Sequence, residues 1–304
     1  MSAPSINGLP PVAADLAQRL EAGEMLGATR NLVAIGNVLA TVAATYDDQS
    51  VLHRAVDYFR STRGREARAV ANGLDLLTAA LPPGDLAACL ERRANWFSSA
   101  SDRWTRDITS AAIARIGDGA RVIAFDYSSV VAAVLHQGYQ QQRWRIIVPE
   151  SRALDGGRPY LEDLGSQVVS SVVPDAALGR ETAAADVVLI GAETCFEDGS
   201  CHNTLGSLTA ALCARHFEVP FLVVTPLLKF AGKGAPSAEG SGERDFGQRF
   251  GAVPGVLMTQ PENERVPAEL ITTYLTEMGE VAPEQLAETA ERALQVSAAE
   301  LLSV

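Results

Sequence analysis

Acidic side chains follow two of the short apolar runs in the second half of the chain. Asp126 comes directly after the run 121–125, and Glu193 follows the dipeptide Gly191-Ala192 after a later run. Carboxylates at such positions can bind the hydroxyl groups of a ligand or move protons. The two acids are therefore our first candidates for acid–base chemistry.

Basic and polar side chains occupy comparable positions. Arg152 follows the run 145–148, and Lys229 lies just beyond the run 221–224. Cationic side chains and the amino ends of helices hold phosphate groups. Together with the two acids, they predict a site for a small phosphorylated polyol. Further hydrogen-bonding candidates at the predicted strand ends are Ser128, Asn203 and Thr204.

The elements that must position these side chains are predicted from periodicity. After residue 117, short β-branched runs alternate with amphipathic segments such as 129–139 and 205–217. This alternation predicts a Rossmann-like, doubly wound parallel sheet in an α/β domain over residues 117–304. Ligands bind at the carboxyl ends of the strands in such sheets. The runs predicted as strands are 121–125, 145–148, 167–173, 187–190, 221–224 and 256–258.

Residues 1–116 have helical periodicity instead. Leu32, Ile35, Val38, Leu39 and Val42 form one apolar stripe, which is typical of an amphipathic helix. Asp47-Asp48 then provides an N-cap for the next helix, and two later helical runs are predicted to end at Phe97 and Ile116. The sequence therefore predicts an N-terminal helical domain over residues 1–116, and a further apolar helix over 283–302.

Composition limits the function classes. The chain has 304 residues and a net charge of −12, which opposes non-specific attraction to nucleic acid or to anionic membranes. No apolar run approaches the roughly 20 residues that span a bilayer, and the first residues do not resemble a secretion signal. We expect a cytoplasmic protein with no nucleic-acid or membrane partner.

The placement of the cysteines and the absence of nucleotide-binding motifs predict a protein without a cofactor. The four cysteines are too few and too unevenly placed for a disulfide framework, so reduced thiols are expected. Three of them lie close in sequence to two histidines. Because the paired C-x-x-C motifs of zinc sites are missing, we predict no metal site. Neither G-x-G-x-x-G nor a P-loop motif occurs. The crowded residues are Cys195, Cys201, His202, Cys213 and His216.

The stretch 232–251 is rich in Gly and Ser. Such a composition favours a flexible loop, and a lid beside the strand ends is the alternative.

Seven motifs between residues 117 and 279, in this order, resemble one superfamily. It joins methylthioribose-1-phosphate isomerase, ribose-1,5-bisphosphate isomerase and the alpha, beta and delta subunits of eukaryotic translation initiation factor 2B. The resemblance implies the predicted fold, a phosphorylated small-molecule ligand and a homodimer. The motifs are GDGARVIAFDYSSVVAAVL, VPESRALDGGRPYLEDLG, VVPDAAL, ADVVLIGAE, EDGSCHNTLGS, VPFLVVTPLLKF and ENERVPAELITTYLTEMGE.

The resemblance also implies roles for individual residues. The phosphorylated sugar would contact positions matching Arg63-Gly64, Arg152, Asn203 and Lys229. The isomerases use a Cys and an Asp to move a proton and open the sugar, and here these positions are Asp126 and Glu193. The Lys that usually follows the Asn is Thr204, and the Pro after the E-x-R motif is Ala153.

Three interpretations follow. The first is a sugar-phosphate isomerase, of the aldose–ketose type, in which Asp126 and Glu193 act as the acid–base pair. The second is a sugar-phosphate or nucleotide sensing protein without turnover, similar to the regulatory subunits of the initiation factor. In the third, Asp126 is only the N-cap of the helix that starts at Ser129, and Glu193 is a solvated acid.

Overall fold

The computed structural model describes residues 6, 8–22, 27–82, 84–234, 243–245 and 253–303. The chain divides into two compact units. Unit 1 comprises Met1–Trp104, Leu227–Phe230 and Ala290–Val304, and unit 2 comprises Thr105–Pro226 and Ala231–Thr289. The sequence predicts a single boundary at residue 116, whereas this division assigns two later segments to the helical unit.

Unit 1 is helical, as predicted. The apolar stripe residues Leu32, Ile35 and Leu39 are fully buried. Leu228 and Leu301 are buried in the same core, which explains why their segments belong to this unit. The helices that contribute to unit 1 are α1 (Pro11–Glu21), α2 (Ala28–Thr45), α3 (Gln49–Ser61), α4 (Arg63–Glu66), α5 (Arg68–Thr78), α6 (Leu86–Arg115) and α11 (Leu286–Leu302).

The structure confirms one local prediction for these helices and contradicts another. Asp48 is the N-cap of α3, and its Oδ1 accepts a hydrogen bond from the Ser50 amide at 2.9 Å, which confirms the predicted cap. The prediction of two helices between residues 86 and 116 is wrong, because α6 is continuous. No Gly or Pro lies within that segment to interrupt it.

Unit 2 contains a seven-stranded sheet. Strands β1, β2, β4 and β7 confirm the predicted runs, and β3 confirms the second part of the run 167–173. The strand order is β12-β11-β7-β4-β1-β2-β3, and all pairings are parallel except that of β11 with β12. The strands are β1 (Arg121–Phe125), β2 (Arg145–Pro149), β3 (Val169–Val173), β4 (Val187–Ile190), β7 (Phe221–Val224), β11 (Thr273–Thr276) and β12 (Gly279–Val281).

The sheet reverses its direction of winding between β1 and β4. The chain proceeds from β1 to β2 and β3 on one side, and then returns to β4 and β7 on the other. Crevices at such a reversal are where open α/β sheets bind ligands. Asp126 and Glu193 follow the two strands that border it. Helices of this unit are α7 (Ser129–Gln142), α8 (Arg158–Val168), α9 (Leu178–Thr182) and α10 (Ser207–His216).

A small antiparallel sheet, ordered β10-β6-β5, presents the polar segment 193–204. Its strands are β5 (Thr194–Cys195), β6 (Cys201–Thr204) and β10 (Asn263–Val266). Glu193 directly precedes β5, and Thr204 ends β6. Strands β5 and β6 form a hairpin, and β6 also pairs with the third strand, β10.

The predicted strand 256–258 is wrong. Gly255 has a φ of +79°, and Leu257 is 81% exposed, so this apolar run packs against little. The sixth parallel strand is β11 instead, and the short strands β8 (Glu243–Asp245) and β9 (Thr259–Pro261) form a separate pair. Most of the stretch 232–251 lies outside the described residues.

None of the helices in the described ranges is long and apolar enough to cross a membrane.

Candidate functional site

Asp126 lies immediately after β1 in the left-handed backbone region, with a φ of +60°. The Tyr160 hydroxyl stabilises this turn, because it donates a hydrogen bond to the Asp126 carbonyl at 2.8 Å. The carboxylate is held on both sides: Oδ1 accepts from Ser151 Oγ at 3.0 Å, and Oδ2 accepts from Thr204 Oγ1 at 2.6 Å. The structure therefore brings two of the predicted site residues, Asp126 and Thr204, into direct contact.

The pKa of Asp126 is strongly perturbed. The residue is 8% exposed, and this burial is the main cause of a pKa that is raised from 3.8 to about 6. The hydroxyl donors Thr204 and Ser151 lower the pKa, while the negative charge of Glu193 raises it again. A carboxyl group with this pKa can accept and return a proton near neutral pH.

Glu193 is half-buried at the start of the hairpin, and its backbone amide donates to the carbonyl of His202 at 2.9 Å. Its charge acts on Asp126, so the two acids that the sequence pairs are electrostatic neighbours. The Gly191 that precedes it must be small, because an added Cβ would lie 2.8 Å from the Ser128 Cβ. The G-A-acid motif thus places a carboxylate beside the β1 turn.

Ser128, rather than Asp126, is the N-cap of α7, and its side chain accepts a bond from the Val131 amide at 3.5 Å. The alternative in which Asp126 caps this helix is therefore wrong. The carboxylate of Asp126 instead makes its contacts with Ser151 and Thr204.

The amino end of α10 already holds a carboxylate. Glu264 Oε1 accepts from the amides of Gly206 at 2.5 Å and of Leu208 at 2.9 Å. These two amides are therefore engaged by an internal acid and not by an anionic ligand. Asn203 is also buried, and its Nδ2 donates to Ser207 Oγ at 2.9 Å.

Arg152 lies on the loop after β2 and is exposed. Its guanidinium is 3.8 Å from a Glu150 oxygen and 3.6 Å from an Asp155 oxygen. Asp175 shapes this loop, because its two oxygens accept from the amides of Ser151 at 2.9 Å and of Arg152 at 2.8 Å. The loop thus holds the Arg152 guanidinium in solvent and directs the Ser151 hydroxyl to Asp126.

Three of the predicted ligand residues belong to unit 1. Lys229 ends a 3-10 turn, and the flanking carbonyls of Leu228 and Phe230 accept from Asn72 Nδ2 at 2.8 and 2.7 Å. Gly64 of α4, next to Arg63, lies close to Ala71 of α5, because a Cβ added at Gly64 would be 3.6 Å from the Ala71 Cα. Unit 1 thus gathers Lys229 and the Arg63-Gly64 segment around α5, and their part in ligand binding stays a prediction.

A cavity of about 290 Å³ lies at the amino end of the sheet in unit 2, whereas Asp126 and Glu193 follow the carboxyl ends of strands in the same sheet. Its lining includes Gly117, Ala120, Val187 and Leu222. None of the predicted site residues lines it.

Three positions that support the site were not assigned from the sequence. Tyr160 and Gly156 lie in the segment after β2, and Glu264 lies on β10. Spacing cannot identify Tyr160 or Glu264, because their partners Asp126 and Gly206 are 34 and 58 residues away in the sequence. The one available signal is the paired glycines 156 and 157, which mark a close backbone approach.

Gly156→Ala should disrupt this site. An added Cβ would overlap Asp126 Oδ1, so the carboxylate must move. Overpacking of this kind costs about 1–3 kcal/mol of unfolding free energy, which urea unfolding measures. Gly117→Ala is the matched control, because nothing lies within 4 Å of its added Cβ. Equal stability of the two variants would contradict the prediction.

The chain is similar in sequence to proteins of known families. The model of the Initiation factor 2 subunit family matches residues 13–283. The chain is 26% identical to the methylthioribose-1-phosphate isomerase of Albidiferax ferrireducens over 301 residues, covering 90% of this chain and 81% of the relative. It is 27% identical to the ribose 1,5-bisphosphate isomerase of Archaeoglobus fulgidus over 201 residues, or 64% of each chain.

A third relative is subunit alpha of translation initiation factor eIF2B from Dictyostelium discoideum. It is 29% identical over 143 residues, which are 46% of this chain and 44% of the relative, so the chain spans less than half of that protein. Among solved structures, the initiation factor eIF-2B of Pyrococcus horikoshii matches with a TM-score of 0.78 at 22% identity, covering 91% of this chain and 99% of that one. This structural match shows a shared fold.

Proposed function

Because this chain belongs to the Initiation factor 2 subunit family, we propose that it binds a phosphorylated sugar and isomerises it from aldose to ketose. Asp126 and Glu193 are the proposed acid–base pair. The observation that carries the proposal is the Asp126 carboxyl group, which is buried at the sheet reversal with a pKa of about 6, beside a second carboxylate.

The chemistry requires one proton to move between neighbouring carbons. In an aldose 1-phosphate, a base removes the proton from C2 while the ring C1–O bond breaks and an acid protonates the ring oxygen. The proton then returns at C1, and the 2-hydroxyl loses its proton to become the ketone. We assign the C2-to-C1 transfer to Asp126, because its pKa lets it accept and release a proton near neutral pH. Glu193 is assigned the proton exchange at the oxygens.

A second candidate function is a sugar-phosphate or nucleotide sensor without turnover. It is favoured by the hydroxyl bonds of Ser151 and Thr204, which already engage both oxygens of Asp126. A carboxyl group held in this way can organise a binding loop without exchanging protons with a ligand. The match to the eIF2B alpha subunit of D. discoideum supports the same alternative.

One experiment separates the two candidates. Thermal stability of the purified chain is measured with pentose 1-phosphates, methylthioribose 1-phosphate and nucleoside monophosphates. Each ligand that stabilises the protein is then incubated with it and followed by NMR. Stabilisation together with a ketose product supports the isomerase, whereas stabilisation without product supports the sensor. No stabilisation by any of these compounds would contradict both.

Arg152→Ala should weaken binding of the phosphorylated ligand at least about tenfold, because one charge-assisted hydrogen bond contributes on this scale. Calorimetric titration with the ligand that gives the largest thermal shift measures the change. Arg158→Ala is the matched control, since Arg158 is also exposed and pairs with Glu162 on α8. Equal affinities of the two variants would exclude Arg152 from the site.

The homodimer and the cytoplasmic location that the sequence implies remain predictions.

A further inference from the structure

Two thiols face each other across the hairpin of the small sheet. Cys195 on β5 and Cys201 on β6 are register partners in this antiparallel pair, and they are 1% and 0% exposed. All four cysteines of the chain are thiols in the structure. The proposed isomerase and sensor functions use neither of these two residues.

The hydrogen bonding of the hairpin defines the geometry of the pair. The Phe196 amide donates to the Ser200 carbonyl at 2.9 Å, so the next residues toward the turn form a hydrogen-bonded pair. Because such pairs alternate along an antiparallel ladder, Cys195 and Cys201 form a non-hydrogen-bonded pair, whose Cα atoms are about 4.5 Å apart. A disulfide accepts Cα separations of about 4.4–6.8 Å, and this pair falls at the short end of that range.

Neighbouring groups hold the turn in place. The Tyr274 hydroxyl donates to the Gly199 carbonyl at 2.8 Å and also contacts the Cys201 thiol. Asp198 accepts from the Ser200 amide at 3.1 Å, which closes the turn between the two strands. The two sulfur atoms are therefore kept on one face of a fixed hairpin.

We infer that Cys195 and Cys201 are a redox-sensitive pair that closes an intrachain disulfide when a hydroperoxide oxidises one of them. The first thiolate attacks the peroxide oxygen, the O–O bond breaks, and a sulfenic acid and an alcohol or water form. The second thiol then attacks that sulfur, and water leaves. Two thiols lose two electrons and two protons, and the peroxide accepts them.

The link would join β5, which Glu193 directly precedes, to β6, which ends at Thr204. The change would be reversible, because a dithiol reduces a disulfide by thiol–disulfide exchange. Burial raises the pKa of Cys201 well above its usual value, which keeps the thiol protonated and makes oxidation faster at alkaline pH.

The test is peptide mapping of the full chain after treatment with hydrogen peroxide and alkylation of the remaining thiols. A protease that cleaves before Asp198 separates the two cysteines, so a disulfide leaves their peptides joined until dithiothreitol is added. We expect this joined product in the wild type and in Cys213→Ala, and its absence in Cys195→Ala. Only sulfinic acids, only intermolecular disulfides or unchanged thiols in the wild type would overturn the inference, whatever the stability of the variants.

Discussion

Replacing Asp126 with Asn is expected to lower the turnover number for the sugar phosphate by about 10²–10⁴-fold, because a positioned acid–base group contributes a factor of this size. The variant should stay folded. Asn has nearly the shape of Asp, and the hydroxyls of Ser151 and Thr204 can accept from its amide as well as donate to its oxygen. The measurement is the rate of ketose formation at saturating substrate.

Asp57→Asn is the control for this loss. Asp57 is an exposed acid on α3, so its replacement should leave turnover unchanged. Glu193→Gln should also lower turnover, while both site variants should still be stabilised by the ligand in thermal shift. Wild-type turnover in Asp126→Asn would remove Asp126 from the mechanism.

The second large effect concerns stability and pH. The folded pKa of Asp126 is about 6 and its ordinary value is 3.8, so the folded state binds the proton more tightly than the unfolded state. Its contribution to stability is therefore fully present below pH 3.8 and is lost as pH rises through about 6. The loss approaches roughly 3 kcal/mol of unfolding free energy, since one pKa unit corresponds to about 1.36 kcal/mol.

Comparison with Asp126→Asn isolates this contribution from all other titrating groups. The unfolding free energy of both proteins is measured with urea between about pH 4 and pH 8, and the difference is plotted against pH. The variant should gain stability relative to the wild type as pH rises across this window. A difference that is independent of pH would show that the carboxyl group keeps its ordinary pKa in the folded protein.

Secondary structure was predictable where its cause is local. The runs 187–190 and 221–224 are continuous apolar segments, the run 121–125 is apolar after its first residue, and each forms a strand at these bounds. The strand β11 was missed, because its sequence Thr-Tyr-Leu-Thr has only two apolar residues. Its burial comes from position between β7 and β12 in the sheet, which no local pattern encodes. The run 256–258 has the opposite character, with apolar residues that stay exposed.

For the candidate site too, the sequence predicts some features and not others. Asp126 and Glu193 could be selected from the sequence, because both follow a strand in a fold that binds ligands at strand ends. The supporting contacts could not, since Ser151 and Thr204 reach Asp126 across 25 and 78 residues of chain. Nor could spacing reveal that Glu264 occupies the amino end of α10.

The sequence by itself determined the fold class, the two kinds of periodicity and the acids at the strand ends, because these depend on residue type and on short spacings. Only the tertiary structure decided the state of those acids. The pKa of Asp126 depends on burial, on two hydroxyl donors and on a second carboxylate. These groups come from separate segments and meet only when the strand order brings β1 beside β4.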